Sequence, residues 1–254
     1  MISSPGTPPE LVCRIEAHAL NAWPATVTER VDGGWVLRAT PELDRGRSNH
    51  ALPPCREVRA SEIPAGIARV EAFARRHGIP RGIQVSPLEL QGQLMNELDR
   101  RGWETRWPVL VLAARRDEAV WSEPELLSSL QRSDHATPEW LAAWAVCEPG
   151  RDVEAHARSV FRALAGRATF ARLDKVAVGI GVDHDDLVGL FCLAVDPARR
   201  RSGLGSAMVR ALLAGARART AYLQVEKANA PAVALYERLG FAEAYRYCHR
   251  VAPG

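Results

Sequence analysis

Residues 187–205 constrain the fold more than any other part of this chain. Leu187–Val195 (LVGLFCLAV) is a short, continuous apolar run, which predicts a buried strand. Asp196-Pro197 ends it, because proline cannot donate to a ladder and restricts the residue before it. Arg199-Arg200-Arg201-Ser202-Gly203-Leu204-Gly205 comes next. Met208, Leu212 and Ala216 then recur at i, i+4 and i+8, with Val209 and Leu213 beside them, as one apolar face of a helix. A strand therefore feeds a glycine-bearing turn that opens a helix whose first amides lack intrahelical acceptors. Those amides and the helix dipole form an anion site, and glycine lets a phosphate approach the backbone. The expected guest is a diphosphate-bearing cofactor. Two other phosphate loops are excluded. No Gly-Lys-Ser/Thr follows, and Met208 stands where the third glycine of a dinucleotide fingerprint belongs.

The sequence downstream narrows the reading. Residues 220–225 (TAYLQV) are rich in β-formers and predict a second strand. In the following segment Pro231 suits a first helical turn, Val233, Tyr236 and Leu239 share a face, and Gly240 suits a helix C-cap. Arg-x-x-Gly-x-Gly at 200–205, followed by Asn-x-x-x-x-x-Leu-Tyr-x-x-Leu-Gly-Phe at 229–241, resembles the GNAT superfamily of acyl-CoA N-acyltransferases. The two motifs cover about the last quarter of the chain, and the layout expected of that fold extends the match through the second half.

Composition sets wide bounds. With 254 residues, 47% hydrophobic and 25% charged, the chain reads as one large globular domain or two small ones. A formal net charge of +3 is too mild to point to nucleic acid. The dense basic run Arg199-Arg200-Arg201 lies at the phosphate turn, where it suits the phosphates of coenzyme A. Cys13, Cys55, Cys147, Cys192 and Cys248 are odd in number and scattered, which implies neither a zinc site nor a disulfide framework. No signal-like or membrane-length apolar run occurs, so a cytoplasmic setting without membrane attachment is expected.

The second half predicts helices at 138–146 and 153–164, then strands at 168–173 and 175–182 before the strand at 187. The Asp183-His184-Asp185-Asp186 turn between them is expected to bond its own backbone rather than a metal. The first half echoes this order. It predicts strands at 35–40 and 48–52, a helix through Ile63, Ile67, Val70 and Ala74, and a strand at 82–86. A helix through Leu90, Leu94 and Leu98 and a strand at 103–114 complete it. Gly82-Ile83-Gln84-Val85 through Leu98 to Gly102-Trp103 parallels Tyr222-Leu223-Gln224-Val225 through Tyr236 to Gly240-Phe241, an internal repeat. The first copy has no Arg-x-x-Gly-x-Gly, and Leu98 stands where Tyr236 stands in the second. The expected fold is therefore α/β (α+β), with two GNAT-like lobes. Each would have a mixed, mostly antiparallel sheet flanked by helices, and a splayed parallel strand pair would form the cofactor site. Residues 1–118 would be the degenerate lobe and 119–254 the catalytic one, with the linker within 115–137.

What the resemblance implies about chemistry is specific. Acetyl-CoA would be the cosubstrate, with no metal, and the acetyl group would pass directly to a primary amine in a ternary complex. A backbone N–H near Leu193, in the stretch Leu193-Ala194-Val195, would meet the thioester oxygen. Amides around Arg200, Arg201, Ser202, Gly203, Leu204, Gly205 and Ser206 would hold the diphosphate, and Asn229 would contact the cofactor arm or order its loop. Tyr236 would be the general acid toward the departing sulfur. Some family members carry a glutamate at the position of Gln224, which cannot take a proton. Glu226, two residues on and on the same strand face, is the replacement candidate, acting through a water. Trp140, Trp144, Asp152, Glu154, Glu243, Tyr245 and Tyr247 are candidate walls of the acceptor pocket. The acceptor would be a small-molecule amine or, alternatively, a peptide amino terminus, and a homodimer is open. A non-catalytic acyl-CoA sensor is the alternative of another class.

Overall fold

The computed structural model of this chain describes residues 7–115 and 129–253. The expected lobe boundary at 118/119 lies outside those residues, as does much of the expected linker. The described residues gather into two compact units. One comprises Met1–Val111, Glu226–Ala228 and Glu243–Gly254, and the other Leu112–Val225 and Asn229–Ala242. Neither unit is a single stretch of chain.

The first unit begins with helix α1 (Pro9–Ala22) and an antiparallel hairpin of β1 (Val27–Val31) and β2 (Trp35–Ala39). A short helix α2 (Gly46–Asn49), helix α3 (Ile63–His77), strand β3 (Gly82–Val85), helix α4 (Gly92–Arg100) and strand β4 (Glu104–Arg115) follow. The expected strand at 48–52 is corrected. Asn49 bonds the Thr40 amide and the Leu43 carbonyl through its side chain, which favours a helical turn there, and only isolated bridges at Ala51 and Leu52 remain. Strand β10 (Ala242–Val251) lies between β3 and β4 and runs antiparallel to β3, with His249 opposite Gln84 and Cys248 opposite Val85.

Alternation along these strands gives the sheet two unlike faces. One face is apolar. Ile83, Val85 and Cys248 join Ile67, Val70, Phe73, Leu94, Leu98 and Trp103 in the main core of this unit. The other face is polar and still buried. Tyr245 donates to Glu16 Oε1 at 2.5 Å. Arg38 donates from Nε to the His50 carbonyl at 2.9 Å and from Nη2 to Gln84 Oε1 at 3.1 Å. The Nδ1 atoms of His50 and His249 are 2.9 Å apart, and Arg47 donates to the Tyr247 hydroxyl at 3.3 Å. Buried polar groups persist when so partnered, because an unpaired one forfeits its hydration.

This layer makes stability pH-dependent. Burial, aided by the Arg38 charge, pushes His50 down to about 3 and holds His249 well below its usual value. Both imidazoles are neutral in the folded chain, and the unfolded chain takes up their protons first. Their stabilising contribution is full above pH ~6.5 and is lost as pH falls toward the folded values. Glu16 acts in the opposite sense, since burial raises its pKa, and its contribution is complete only below pH ~4.5. The unfolding free energy from urea titrations between pH 7 and 5 is therefore expected to fall by up to about 1.4 kcal/mol per pH unit for each histidine, less the opposing contribution of Glu16. The same measurement in Glu16→Gln removes the opposing carboxyl, and a profile still flat there would show that the imidazoles titrate alike in the folded and unfolded chain.

The second unit carries β5 (Leu130–Ser133), β6 (Thr169–Leu173), β7 (Ala177–His184), β8 (Leu187–Val195) and β9 (Thr220–Glu226) in the order β9-β8-β7-β6-β5. The β5 to β8 pairings are antiparallel, and β8 pairs with β9 in parallel. Helix α5 (Pro138–Cys147) starts at Thr137, whose side chain accepts from the Trp140 amide at 3.1 Å. The stretch 153–164 is α6 (Val153–His156), a π turn at Ala157–Phe161 and α7 (Arg162–Leu164). Trp140, Trp144, Phe161 and Phe170 form a buried aromatic cluster with ring centroids 5.0–6.0 Å apart, the two tryptophans stacked and the phenylalanines edge-on. Helix α8 (Leu204–Ala214) packs on β7 and β8, and α9 (Ala230–Arg238) follows β9.

The internal repeat is visible at two helix ends. After α4, Gly102 has φ 71° and the Trp103 amide bonds the Leu98 carbonyl at 2.9 Å. After α9, Gly240 has φ 86° and the Phe241 amide bonds the Tyr236 carbonyl at 3.0 Å. Both ends need a residue that takes a left-handed conformation without strain, and glycine supplies it. Each turn then enters a strand, β4 in one copy and β10 in the other.

The cysteine expectation is corrected as well. Cys13 and Cys55 are joined by a disulfide with their Cα atoms 5.6 Å apart, a pairing that a separation of 42 residues does not announce.

Candidate functional site

The second unit assembles a candidate cofactor site where β8 parts from β9. Their parallel ladder runs from Leu187 opposite Thr220 to Leu190 opposite Leu223, and both strands continue beyond it. On its other side β8 carries a bulge. Ile180 faces Phe191 and Val178 faces Ala194, so Cys192 and Leu193 together oppose Gly179. Cys192 takes φ 49°, and a Cβ at Gly179 would lie 2.9 Å from the side chains of Leu193 and Leu212. A bulge of this kind bends the strand and re-aims the backbone groups that follow it. The stretch Cys192-Leu193-Ala194-Val195 thus leaves the ladder with β9 and runs into the glycine turn.

The turn is tied by short-range bonds. Asp196 Oδ1 accepts from the Ala198 amide at 2.9 Å, Ser202 Oγ donates to the Arg199 carbonyl at 2.5 Å, and Arg200 Nε donates to the Val195 carbonyl at 3.4 Å. Arg201 and Gly203 both have positive φ, 65° and 83°. Gly203 is the N-cap of α8 and brings no capping side chain. The first intrahelical bond runs from the Ala207 amide to the Gly203 carbonyl at 3.0 Å, so the amides of Leu204, Gly205 and Ser206 lie ahead of the intrahelical ladder. Arg199, Arg200 and Arg201 are exposed and have no carboxylate partner among the described residues. Bare amides beside exposed guanidinium groups fit a diphosphate. Gly205 has a different reason to be glycine. A Cβ there would come within 3.1 Å of Leu235, so its absence lets α8 start close to α9.

Helix α9 is capped by Asn229, whose Oδ1 accepts from the Ala232 amide at 3.3 Å. Tyr236 is 8% exposed and packs edge-on against Phe241 at 6.1 Å. Burial pushes its phenol up to about 12, so the hydroxyl keeps its proton at any physiological pH. Among the described residues nothing hydrogen-bonds that hydroxyl. Gln224 is half-buried on β9, and Glu226 is exposed at its end. Glu226 falls in the first unit and Tyr236 in the second.

The candidate acceptor walls have other occupations. Trp140 and Trp144 are core residues, each 1% exposed, and the Trp140 indole donates to the Ala171 carbonyl at 3.0 Å. Asp152 caps α6 at 2.9 Å, and Glu154 and Glu243 pair with Arg158 and Arg246. Tyr245 and Tyr247 belong to the buried polar layer of the first unit. The Asp183–Asp186 turn bonds a distant loop rather than its own backbone, a correction to the expectation: Asp183 accepts from the Arg217 and Ala218 amides and Asp186 from the Arg219 amide. Sequence reasoning missed the polar layer around Glu16, Arg38, His50 and His249. Its one legible trace was the alternation of Tyr245, Tyr247 and His249.

Comparison with known proteins agrees with this geometry. A family model described as "Probable histone acetyltransferase Rv0428c C-terminal" matches residues 12–250. The [ribosomal protein bS18]-alanine N-acetyltransferase of Escherichia coli K12 is 47% identical over 62 residues, 23% of this chain and 42% of that protein. Its Salmonella typhimurium counterpart is 45% identical over the same length and shares. The chain thus spans about two fifths (42%) of the length of these curated relatives. Among solved structures, a GCN5-related N-acetyltransferase from Kribbella flavida matches with a TM-score of 0.67 and 17% identity, covering 99% of this chain and 97% of that one. A tandem GNAT protein from the clavulanic acid biosynthesis pathway matches with a TM-score of 0.62 and 14% identity, covering 95% and 89%. At these identities the likeness is one of fold.

Proposed function

The chain belongs to the acetyltransferase family described by the Rv0428c C-terminal model, within the GNAT superfamily, and from that premise we propose that it moves an acetyl group from acetyl-CoA to a primary amine. The observation that carries this reading is the parting of β8 from β9 at a bulge, directly ahead of an uncapped helix start flanked by exposed arginines. Amides of Leu204, Gly205 and Ser206, with Arg200 and Arg201, hold the diphosphate, and Ser202 and Gly203 shape the turn around it. The strand edge at Leu193, Ala194 and Val195 pairs with the cofactor arm, and an N–H near Leu193 meets the thioester oxygen as its charge grows. Asn229 acts by ordering the loop ahead of α9.

The acceptor nitrogen must be neutral to attack. For an amine of pKa ~10.4 at pH 7 that costs about 4.6 kcal/mol. Glu226 takes the proton through a water. The nitrogen forms its bond to the carbonyl carbon, the carbon–sulfur bond breaks, and Tyr236 protonates the leaving sulfur. Transfer is direct, in a ternary complex. The cofactor turn and Tyr236 belong to the second unit, and the amino-terminal half, lacking Arg-x-x-Gly-x-Gly and carrying Leu98 in place of Tyr236, is the degenerate copy. No described helix is long and apolar enough to cross a membrane, which suits an enzyme working in the cytoplasm.

The acceptor we favour is a small-molecule amine. The match to an alanine N-acetyltransferase over 62 residues supports a second reading, a protein α-amino group. Free-thiol release from acetyl-CoA, measured against small amines, amino acids and peptides with open or blocked amino termini, separates the two. Turnover with small amines alone is expected. Turnover only with open peptides would move the assignment to the second reading. Binding of acetyl-CoA without thiol release against any acceptor would make the protein a sensor.

A further inference from the structure

We propose that the Cys13–Cys55 bond is a thiol–disulfide exchange site, with a low-molecular-weight thiol as its partner, and that its state decides whether α1 holds Glu16 against Tyr245. The inference does not rest on acetyl transfer. The bond joins two unlike pieces of structure. Cys55 sits in an anchored segment: Gln91 Nε2 donates to the carbonyls on either side of it, Pro54 at 3.0 Å and Arg56 at 2.8 Å. Leu52, just ahead, exchanges backbone bonds with Val36 at 2.8 and 2.9 Å. Cys13 sits on α1, which is held differently. The helix buries Val12, Ile15, Leu20 and Ala22, and Leu20 packs in a small cluster with Val36 and Leu52. Cys13 and Glu16, three residues apart, lie on one face of the helix. The covalent tie and the Glu16–Tyr245 hydrogen bond therefore act within one turn of the same helix.

Access and chemistry single out this pair. Cys13 and Cys55 are part-exposed and already joined, Cys147 and Cys248 are buried with thiols pushed up to about 11, and Cys192, part-exposed, lies outside the bond on β8. Exchange runs on the thiolate and needs an approachable sulfur. A small thiolate attacks one sulfur of the bond, the other leaves as thiolate, and a second small thiol resolves the mixed disulfide. The protein gains two electrons and two protons as two thiols, and the reagent departs as its own disulfide. The reverse sequence, driven by that small disulfide, closes the bond again. In a reducing compartment a disulfide is characteristically transient and redox-sensing rather than permanent.

The test uses the full chain equilibrated in glutathione and glutathione disulfide at graded ratios, with free thiols counted by alkylation and mass. Cys13 and Cys55 are expected to titrate together while Cys147 and Cys248 stay unlabelled in the folded protein. In the reduced form α1 amides should exchange at least about tenfold faster with solvent, and the melting temperature should fall by about 5–10 °C. Cys13→Ser should behave as the reduced parent at every ratio. If the Cys13 and Cys55 thiols, assigned by mass and apart from Cys192, ignored the ratio, whether always closed or always open, the exchange site would be overturned. Unchanged α1 exchange after reduction, or in Cys13→Ser, would overturn the control of Glu16.

Discussion

Replacing Gly203 by glutamate is expected to abolish the protection that acetyl-CoA gives against thermal unfolding. At a hundredfold excess over its Kd, a ligand that binds only the folded state stabilises it by about 2.7 kcal/mol. For a chain of this size that raises the melting temperature by roughly 5–10 °C. Gly203 stands where α8 begins, at φ 83°, with no atom within 4 Å of the position of an added Cβ. A side chain therefore projects into the space before the bare amides, and a carboxylate there repels a diphosphate and caps the helix itself. The left-handed backbone adds a cost of about 1 kcal/mol for any non-glycine residue. Gly203→Ala carries that cost without the charge and is expected to keep most of the protection. Full protection in Gly203→Glu would mean that the diphosphate binds elsewhere, and equal loss in both variants would assign the effect to backbone conformation.

Tyr236→Phe is expected to lower turnover by about 10²–10⁴-fold while leaving the Kd for acetyl-CoA within a few-fold of the parent. Phenylalanine keeps the ring that packs against Phe241 and removes only the hydroxyl. The phenol, pushed up to about 12, is a neutral donor throughout the working range. A rise of rate with pH below 10 therefore reports the acceptor amine losing its proton, and an alkaline fall below that point is not Tyr236 ionising. Pre-steady-state thiol release in parent and variant across pH 6–10 reads this directly. Equal rates at every pH would leave Tyr236 a packing residue.

Much of the second unit was legible because its signals are local. The apolar run at Leu187–Val195, the glycine turn and the spacing from Asn229 to Phe241 each lie within one or two turns of chain, and each element forms where those patterns place it. The repeat was legible for the same reason, since Gly102-Trp103 and Gly240-Phe241 mark two like helix ends. What escaped depends on distant partners. The polar side of β10 is buried by Glu16, which lies 229 positions from Tyr245, and by His50, 199 positions from His249. No periodicity within either segment announces such pairings. Tyr245 and Tyr247 read as walls of an acceptor pocket until their partners are known. The strand expected at 48–52 failed because Asn49 turns its side chain back on the local backbone, a choice that alternation cannot register. Trp140 and Trp144 were legible as a pair, but only the packing of Phe161 and Phe170 around them makes them core.

Strand β10 sits between β3 and β4. During translation the residues of β3 and β4 leave the ribosome long before those of Ala242–Val251, so the amino-terminal unit waits with a gap in its sheet while the cofactor unit is almost entirely made. Until the gap closes, Glu16 lacks Tyr245 and His50 lacks His249. A product cut short before Tyr245 would forfeit the first unit rather than merely trim the second, and premature stops anywhere upstream should yield no half-working enzyme.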